Sequence, residues 1–158
     1  MSQPSYTPKA KSGGIAAVLV LAAGLVTYFE GYVPRTYADP INIPTSCYGH
    51  VGPENTPGRR FSKDECQALL EGDLAKAYQS VIRCVTVPLR DYEAAALVSF
   101  TYNVGGAAFC RSTLVKRVNR GELPAACAEL SKWVYAGRVK LPGLVKRRAA
   151  ERATCEGR

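Results

Sequence analysis

The chain has 158 residues, enough for one domain with an apolar core and too few for two independent ones. Lys plus Arg outnumber Asp plus Glu by 21 to 13, a formal charge of +8 that favours a polyanionic partner: nucleic acid, an anionic membrane surface or an acidic wall polymer. The basic residues are dispersed (Arg59, Arg60, Arg83, Arg111, Lys116, Arg117) and denser only at Lys146, Arg147 and Arg148. They are not interleaved with stacking aromatics and match no known nucleic-acid motif, which argues against nucleic acid.

From the N-terminus, Met1 to Lys11 is polar and carries Lys9 and Lys11, and an uncharged run extends from Ser12 to Phe29. A basic flank before an apolar run is the layout of an export signal, with the positive end retained in the cytoplasm. No small-x-small cleavage site separates the run from the residues after it. Two readings stand: an uncleaved signal anchor, which length and flanks favour, and a buried core helix, since the run is near the lower limit for spanning a bilayer. They are compatible at different times, because Gly13, Gly14, Gly24, Thr27 and four alanines make the span weakly hydrophobic.

Tyr28 to Val51 contains Pro34, Pro40 and Pro44 between β-prone pieces and reads as a small irregular β region. After a Gly- and Pro-rich loop, Ser62 to Glu65 has the form of a capping box. Cys66, Leu69, Leu70, Leu74, Ala77, Tyr78 and Val81 then recur at helical steps, predicting a helix that ends near Cys84. Asp91 is placed to cap a second helix, apolar nearly all round from Ala94 to Phe100 and stopped by Asn103 to Gly106. Ser112 caps a short segment closed by Gly121, Pro124 opens a helix through Trp133, and a last helix runs from Pro142-Gly143 to about Cys155. The fold class is α+β, mostly helical, with a small β hairpin near the front.

Six cysteines (Cys47, Cys66, Cys84, Cys110, Cys127, Cys155) form an even count with no C-x-x-C pair, and there is one histidine. This composition argues against zinc and predicts three disulfides formed in an oxidising compartment. Fifteen connectivities are possible for six cysteines. Neither a cofactor nor a metal is expected.

Glu30 closes the apolar run, and Asp39 lies nine residues later. Two carboxylates facing one cleft suit glycoside hydrolysis, which needs one protonated acid and one ionised group to orient water. Glu30, beside Tyr28, Phe29 and Tyr32, is the better candidate for a carboxyl kept protonated by desolvation. The spacing alone is equally that of two solvated acids.

The run Glu30-Gly-Tyr-Val-Pro-Arg-Thr-Tyr-Ala-Asp39, continuing to Thr45-Ser-Cys-Tyr-Gly-His50, resembles the catalytic segment of the phage-type lysozymes, glycoside hydrolase family 24. Ser99 to Gly106, Phe109, Ser112-Thr-Leu114, Asn119-Arg-Gly121, Trp133, and Leu141 to Arg148 with Glu151 resemble that family's helical lobe in the same order. The resemblance implies a lysozyme-like fold, with Glu30 as general acid, Asp39 orienting or activating the attacking water, and Thr45 holding that water. The bond implied is the β-1,4 linkage between N-acetylmuramic acid and N-acetylglucosamine in peptidoglycan glycan strands.

Asn103, on a helix the resemblance turns toward the cleft, with Gly49 and Val51 on either side of His50, are the expected sugar-binding residues. His50 itself reads as a locally hydrogen-bonded structural residue, and Lys146, Arg147, Arg148 and Glu151 as a surface helix face with ion pairs. Asn42 stands where the family often has glycine, and asparagine is the next residue to accept positive φ. Cys47 replaces another family glycine, a form associated with the family's membrane-released endolysins. Pro44, directly before Thr45, is not part of the expected pattern.

Chain order and the family's geometry imply the pairs Cys47–Cys66, Cys84–Cys110 and Cys127–Cys155. The resemblance further implies a monomeric endolysin of the signal-arrest-release group. Residues 1–29 would form the basic flank and signal anchor, and 30–158 the catalytic domain. Residues 12–29 would tether it to the periplasmic face of the host inner membrane before release into the periplasm for lysis. Two rivals remain at this point: a cationic membrane disruptor without enzymatic activity, and a transglycosylase that forms an anhydro sugar without water.

Overall fold

A computed structural model describes residues 14–158, so the basic flank with Lys9 and Lys11 lies outside the described residues. The elements run α1 Gly14–Glu30, β1 Val33–Ala38, β2 Pro44–Cys47, α2 Lys63–Cys84, α3 Asp91–Val104, α4 Gly106–Arg111, α5 Thr113–Asn119 and α6 Leu123–Glu129. A short 3₁₀ turn (Leu130–Lys132), β3 Tyr135–Ala136, β4 Val139–Lys140 and α7 Pro142–Cys155 complete the chain. The expected α+β architecture is present, with antiparallel pairs β1–β2 and β3–β4 beside a helical lobe.

Helix α3 is the centre of that lobe. Ala95 to Val98 and Phe100 are fully buried, because the helix is enclosed by α1, α2 and α7. The edge-on contacts of Phe100 with Phe109 and Trp133 place these aromatics in or against the core. Helix α1 enters this core through Val18, Ala22 and Val26, one residue per turn on a single face. Burying a valine contributes roughly 1.5–3 kcal/mol, so this stripe suffices to dock α1 on the domain. Val20, Leu21 and Tyr28 lie off that stripe and are exposed, as is Ile15 at the start of the helix. Among the described residues no helix is long and apolar enough to cross a membrane.

The helix boundaries obey local chemistry. The Ser62 hydroxyl accepts from the Glu65 amide at 3.1 Å while the Glu65 carboxylate accepts from the Ser62 amide at 2.7 Å, completing the capping box. At α3 the cap shifts by one residue from the expectation. Asp91 is the first helical residue, and Glu93 reaches back to the Arg90 amide at 2.7 Å. Gly105 ends α3 at φ 88° and lets α4 begin at once, a helix the sequence pattern did not separate. The small β3–β4 hairpin is also an addition; the expected helix through Trp133 tightens instead into the 3₁₀ turn.

All six cysteines are paired, and the pairs are Cys47–Cys66, Cys84–Cys110 and Cys127–Cys155. The first ties the β hairpin to α2, the second joins the end of α2 to α4, and the third staples α6 to α7.

Candidate active site

Strands β1 and β2 carry the polar half of the site. Tyr37 pairs with Thr45 and Ala38 with Pro44, and a two-residue irregularity between Val33 and Tyr37 lets residues 34–36 bond instead to Arg59 and Phe61. Pro44 is tolerated because it opens its strand.

The turn between the strands is built by Asp39. Its Oδ1 accepts from the amides of Ile41 at 3.0 Å and Ile43 at 2.8 Å, and its own amide donates to the Ile43 carbonyl at 3.0 Å. Asn42 takes φ 65° in that turn, as its place in the sequence suggested. One carboxylate oxygen is thus a structural anchor and the other is left for chemistry. Thr45 is buried, and its hydroxyl proton goes to the Ile43 carbonyl at 3.0 Å, leaving its lone pairs to accept from a water.

The next turn is closed by Asn55. Its amide donates to the carbonyls of Pro44 at 3.0 Å and His50 at 2.9 Å, and its oxygen accepts from Ser46 at 2.6 Å. His50 is buried, with Nδ1 2.6 Å from Asp73 and Nε2 3.3 Å from Glu54, which agrees with the structural role read for it. Cys47 takes φ 56° here, the left-handed region that its replaced family glycine would enter freely. Its bond to Cys66 holds it there, packed with Phe61.

Glu30 approaches from the end of α1. A Cβ on Gly49, which is at φ 77°, would lie 2.8 Å from Glu30 Oε2, so only glycine lets the carboxylate sit against this turn. Glu30 Oε1 accepts from Arg147 Nη1 at 2.5 Å. The aromatic surroundings expected of Glu30 are only partly formed. Tyr28 points to solvent, Tyr32 leans on Tyr48, and Phe29 lies beneath the Arg147 guanidinium at 5.9 Å.

Arg147 corrects an expectation. Arg147, Arg148 and Glu151 are not a surface face; they are 4 %, 1 % and 0 % exposed, inside the domain between α3 and α7. Arg147 Nε donates to Glu151 at 3.1 Å, and Nη2 donates to the Ser99 carbonyl at 3.3 Å. The Ser99 hydroxyl donates to Glu151 at 2.8 Å. Arg148 pairs with the other Glu151 oxygen, donates to the Trp133 carbonyl at 3.0 Å and lies 4.9 Å from the centre of the Phe100 ring. Burial pulls the Arg148 guanidinium below its usual value, while Glu151 opposes that shift. A charge network therefore runs from the core to the acid. One signal was available: Arg147, Arg148 and Glu151 share the helix face of Cys155, whose disulfide must point inward.

Of the expected sugar-binding residues, Gly49 and Val51 line a cavity of about 290 Å³ with Asp73, Lys76, Thr101 and Tyr102. Asn103 does not line it; its carboxamide oxygen accepts from Arg148. The Tyr102 hydroxyl closes the cavity floor by donating to the Tyr48 carbonyl at 2.6 Å, and burial, then the charges of Asp73 and Glu30, raises its pKa.

A helical lobe, a β hairpin presenting Asp39 and Thr45, and a glutamate between them at a helix end define a glycoside hydrolase of the lysozyme fold. The phage lysozyme family model matches residues 27–151, and the chain belongs to that family. It is 38% identical over 147 residues to a SAR-endolysin of Bacteriophage PS119, covering 91% of this chain and 88% of the relative. It is 37% identical over 141 residues to a SAR-endolysin of Escherichia phage Mu, covering 89% and 82%. Among solved structures, the muramidase domain of SpmX from Asticcacaulis excentricus superposes with a TM-score of 0.78 at 30% identity, covering 85% of this chain and 93% of that one.

Proposed function

We propose that the protein is an endolysin that hydrolyses the β-1,4 bond between N-acetylmuramic acid and N-acetylglucosamine in peptidoglycan, with Glu30, Asp39 and Thr45 as its catalytic residues. The observation that carries this reading is that two carboxylates, each anchored independently, lie near enough to the β1–β2 hairpin for both to act on Tyr37. Glu30 is fixed by Arg147 and Gly49, and Asp39 by its own turn. Glu30 gives its proton to the leaving oxygen as the glycosidic bond breaks. Water held by Asp39 and the Thr45 hydroxyl attacks the sugar carbon from the opposite side, and Asp39 takes up its proton. Gly49 and Val51 border the sugar in the adjoining cavity, and the amide nitrogen of Asn103 is the group it can offer to glycan.

Residues 12–29 act first as the tether to the inner membrane, and the released protein works in the periplasm as a monomer. Two features support this. Helix α1 has apolar residues on both faces and no charge before Glu30, so either lipid or the domain can take it up. It also ends on the catalytic acid. While α1 lies in lipid, Glu30 cannot meet Arg147 and Gly49, so the tethered enzyme is inactive for a positional reason.

Glu30→Gln keeps the shape and removes the proton. It should lower hydrolysis of purified, membrane-free wall by about 10²- to 10⁴-fold while the domain still folds, since the amide oxygen can go on accepting from Arg147. Retained activity would overturn the assignment, and purified wall also separates it from membrane disruption. Mass spectrometry of released muropeptides should show reducing ends, whereas anhydro products would indicate a transglycosylase. For the tether, Gly24→Leu adds apolar surface where a side chain meets nothing within 4 Å. It should delay release from membranes without impairing the purified enzyme.

A further inference from the structure

The face that presents Thr45 and Asp39 carries one more polar side chain that this chemistry leaves unused. Tyr37 stands directly across from Thr45 in the β1–β2 register, and directly opposed residues of an antiparallel pair project to the same side, roughly 4.5–5.5 Å apart at Cβ. It also precedes Asp39 by two residues, the spacing that returns an extended chain to one face. Its ring is half-buried against the hairpin. The hydrogen bonds of this region are made by its neighbours, Asp39 to the Ile41 and Ile43 amides and Thr45 to the Ile43 carbonyl. The Tyr37 hydroxyl is left without a protein partner among the described residues.

We propose that Tyr37 is a substrate-contacting residue: its hydroxyl donates a hydrogen bond to an oxygen of the N-acetylhexosamine ring lying between Glu30 and Thr45, and holds that ring against the acid. This rests on the lysozyme reading of the site. Burial, then the charges of Glu30 and Asp39, raises the Tyr37 pKa from its ordinary value, so the hydroxyl keeps its proton and remains a donor at any working pH. The same two charges exclude a role as base. A phenol is suited to this task because its ring is rigid and its single donor needs little ordering on binding.

Tyr37→Phe removes only the oxygen. On purified wall kcat/KM should fall roughly 3- to 10-fold, the worth of one neutral hydrogen bond, with the unfolding temperature unchanged. In the Glu30→Gln background, which binds without turnover, calorimetric titration with an N-acetylglucosamine oligomer should weaken by a similar factor on adding Tyr37→Phe. Unaltered kcat/KM and unaltered oligomer binding would overturn the proposal. A loss of activity that tracks a lowered unfolding temperature, with oligomer binding intact, would overturn it as well, because Tyr37 would then only support the hairpin. Should Glu30→Gln itself retain activity, the lysozyme reading fails; should it be inactive while Tyr37→Phe is fully active, only the role of Tyr37 does.

Discussion

The two carboxylates of the site are held by opposite means. Asp39 is fixed by its neighbours in the chain, through two amides within four residues and an asparagine that accepts the turn's positive φ. Glu30 is fixed by Arg147, 117 residues away, which is itself held by Glu151 and the Ser99 carbonyl in the interior. The hairpin can therefore set the geometry of Asp39 and Thr45 before the domain is complete. The acid acquires its geometry only when α1, α3 and α7 have packed together. On the proposed release from the membrane, α1 would join the domain last, and the withheld element would carry the residue that depends on tertiary structure.

The largest effect should come from the interior. Glu151→Ala leaves two buried guanidiniums facing each other with their shared carboxylate gone. Removing one partner of a buried ion pair costs about 3–5 kcal/mol, so denaturant unfolding should show a loss of that size. If the loss is below about 1 kcal/mol, the network does not hold the acid as described.

A smaller effect is expected at the hairpin. Cys66→Ser removes the bond that retains Cys47 at positive φ and should cost about 2–4 kcal/mol. Adding Cys47→Gly should return about 1 kcal/mol and part of the activity, because glycine adopts that φ without strain. No recovery in the double variant would show that the cross-link, rather than the backbone conformation, maintains the hairpin.

The smallest effect lies away from both regions and calibrates them. The Glu129 carboxyl is held below its usual value, chiefly by Lys132 and also by Arg117, against the opposing effect of burial. A depressed folded-state pKa gives stabilisation that is present above the unfolded value of about 4.3 and lost as pH falls through the folded value. Stability should therefore be level from neutral pH to about 5 and decline below it. Glu129→Gln should make that decline shallower while leaving wall hydrolysis unchanged. An identical acid limb in the variant would show that other carboxylates, such as Glu54, carry the effect.

Much of the hairpin and of the helix boundaries was legible in the sequence because each depends on residues a few positions apart. The Ser62 box, the Gly105 and Gly121 stops and the Asn42 turn all express backbone preferences that do not need distant partners. The buried charge network was misread for the complementary reason. Arginines and a glutamate on one helix have the same local pattern whether the face meets water or the core, and only the packing of α7 on α3 decides which.

The residue types and intervals at Glu30, Asp39 and Thr45, the family they resemble and the even set of six cysteines are properties of the sequence by itself, since chemistry and chain spacing are written there directly. Tertiary structure alone decided that Arg147 anchors the acid, that Gly49 makes room for it, and that Tyr37 shares the face of Thr45. Those relations depend on strand register and on helix faces meeting across more than a hundred residues, where many arrangements satisfy the same local preferences and close packing with buried charge selects one.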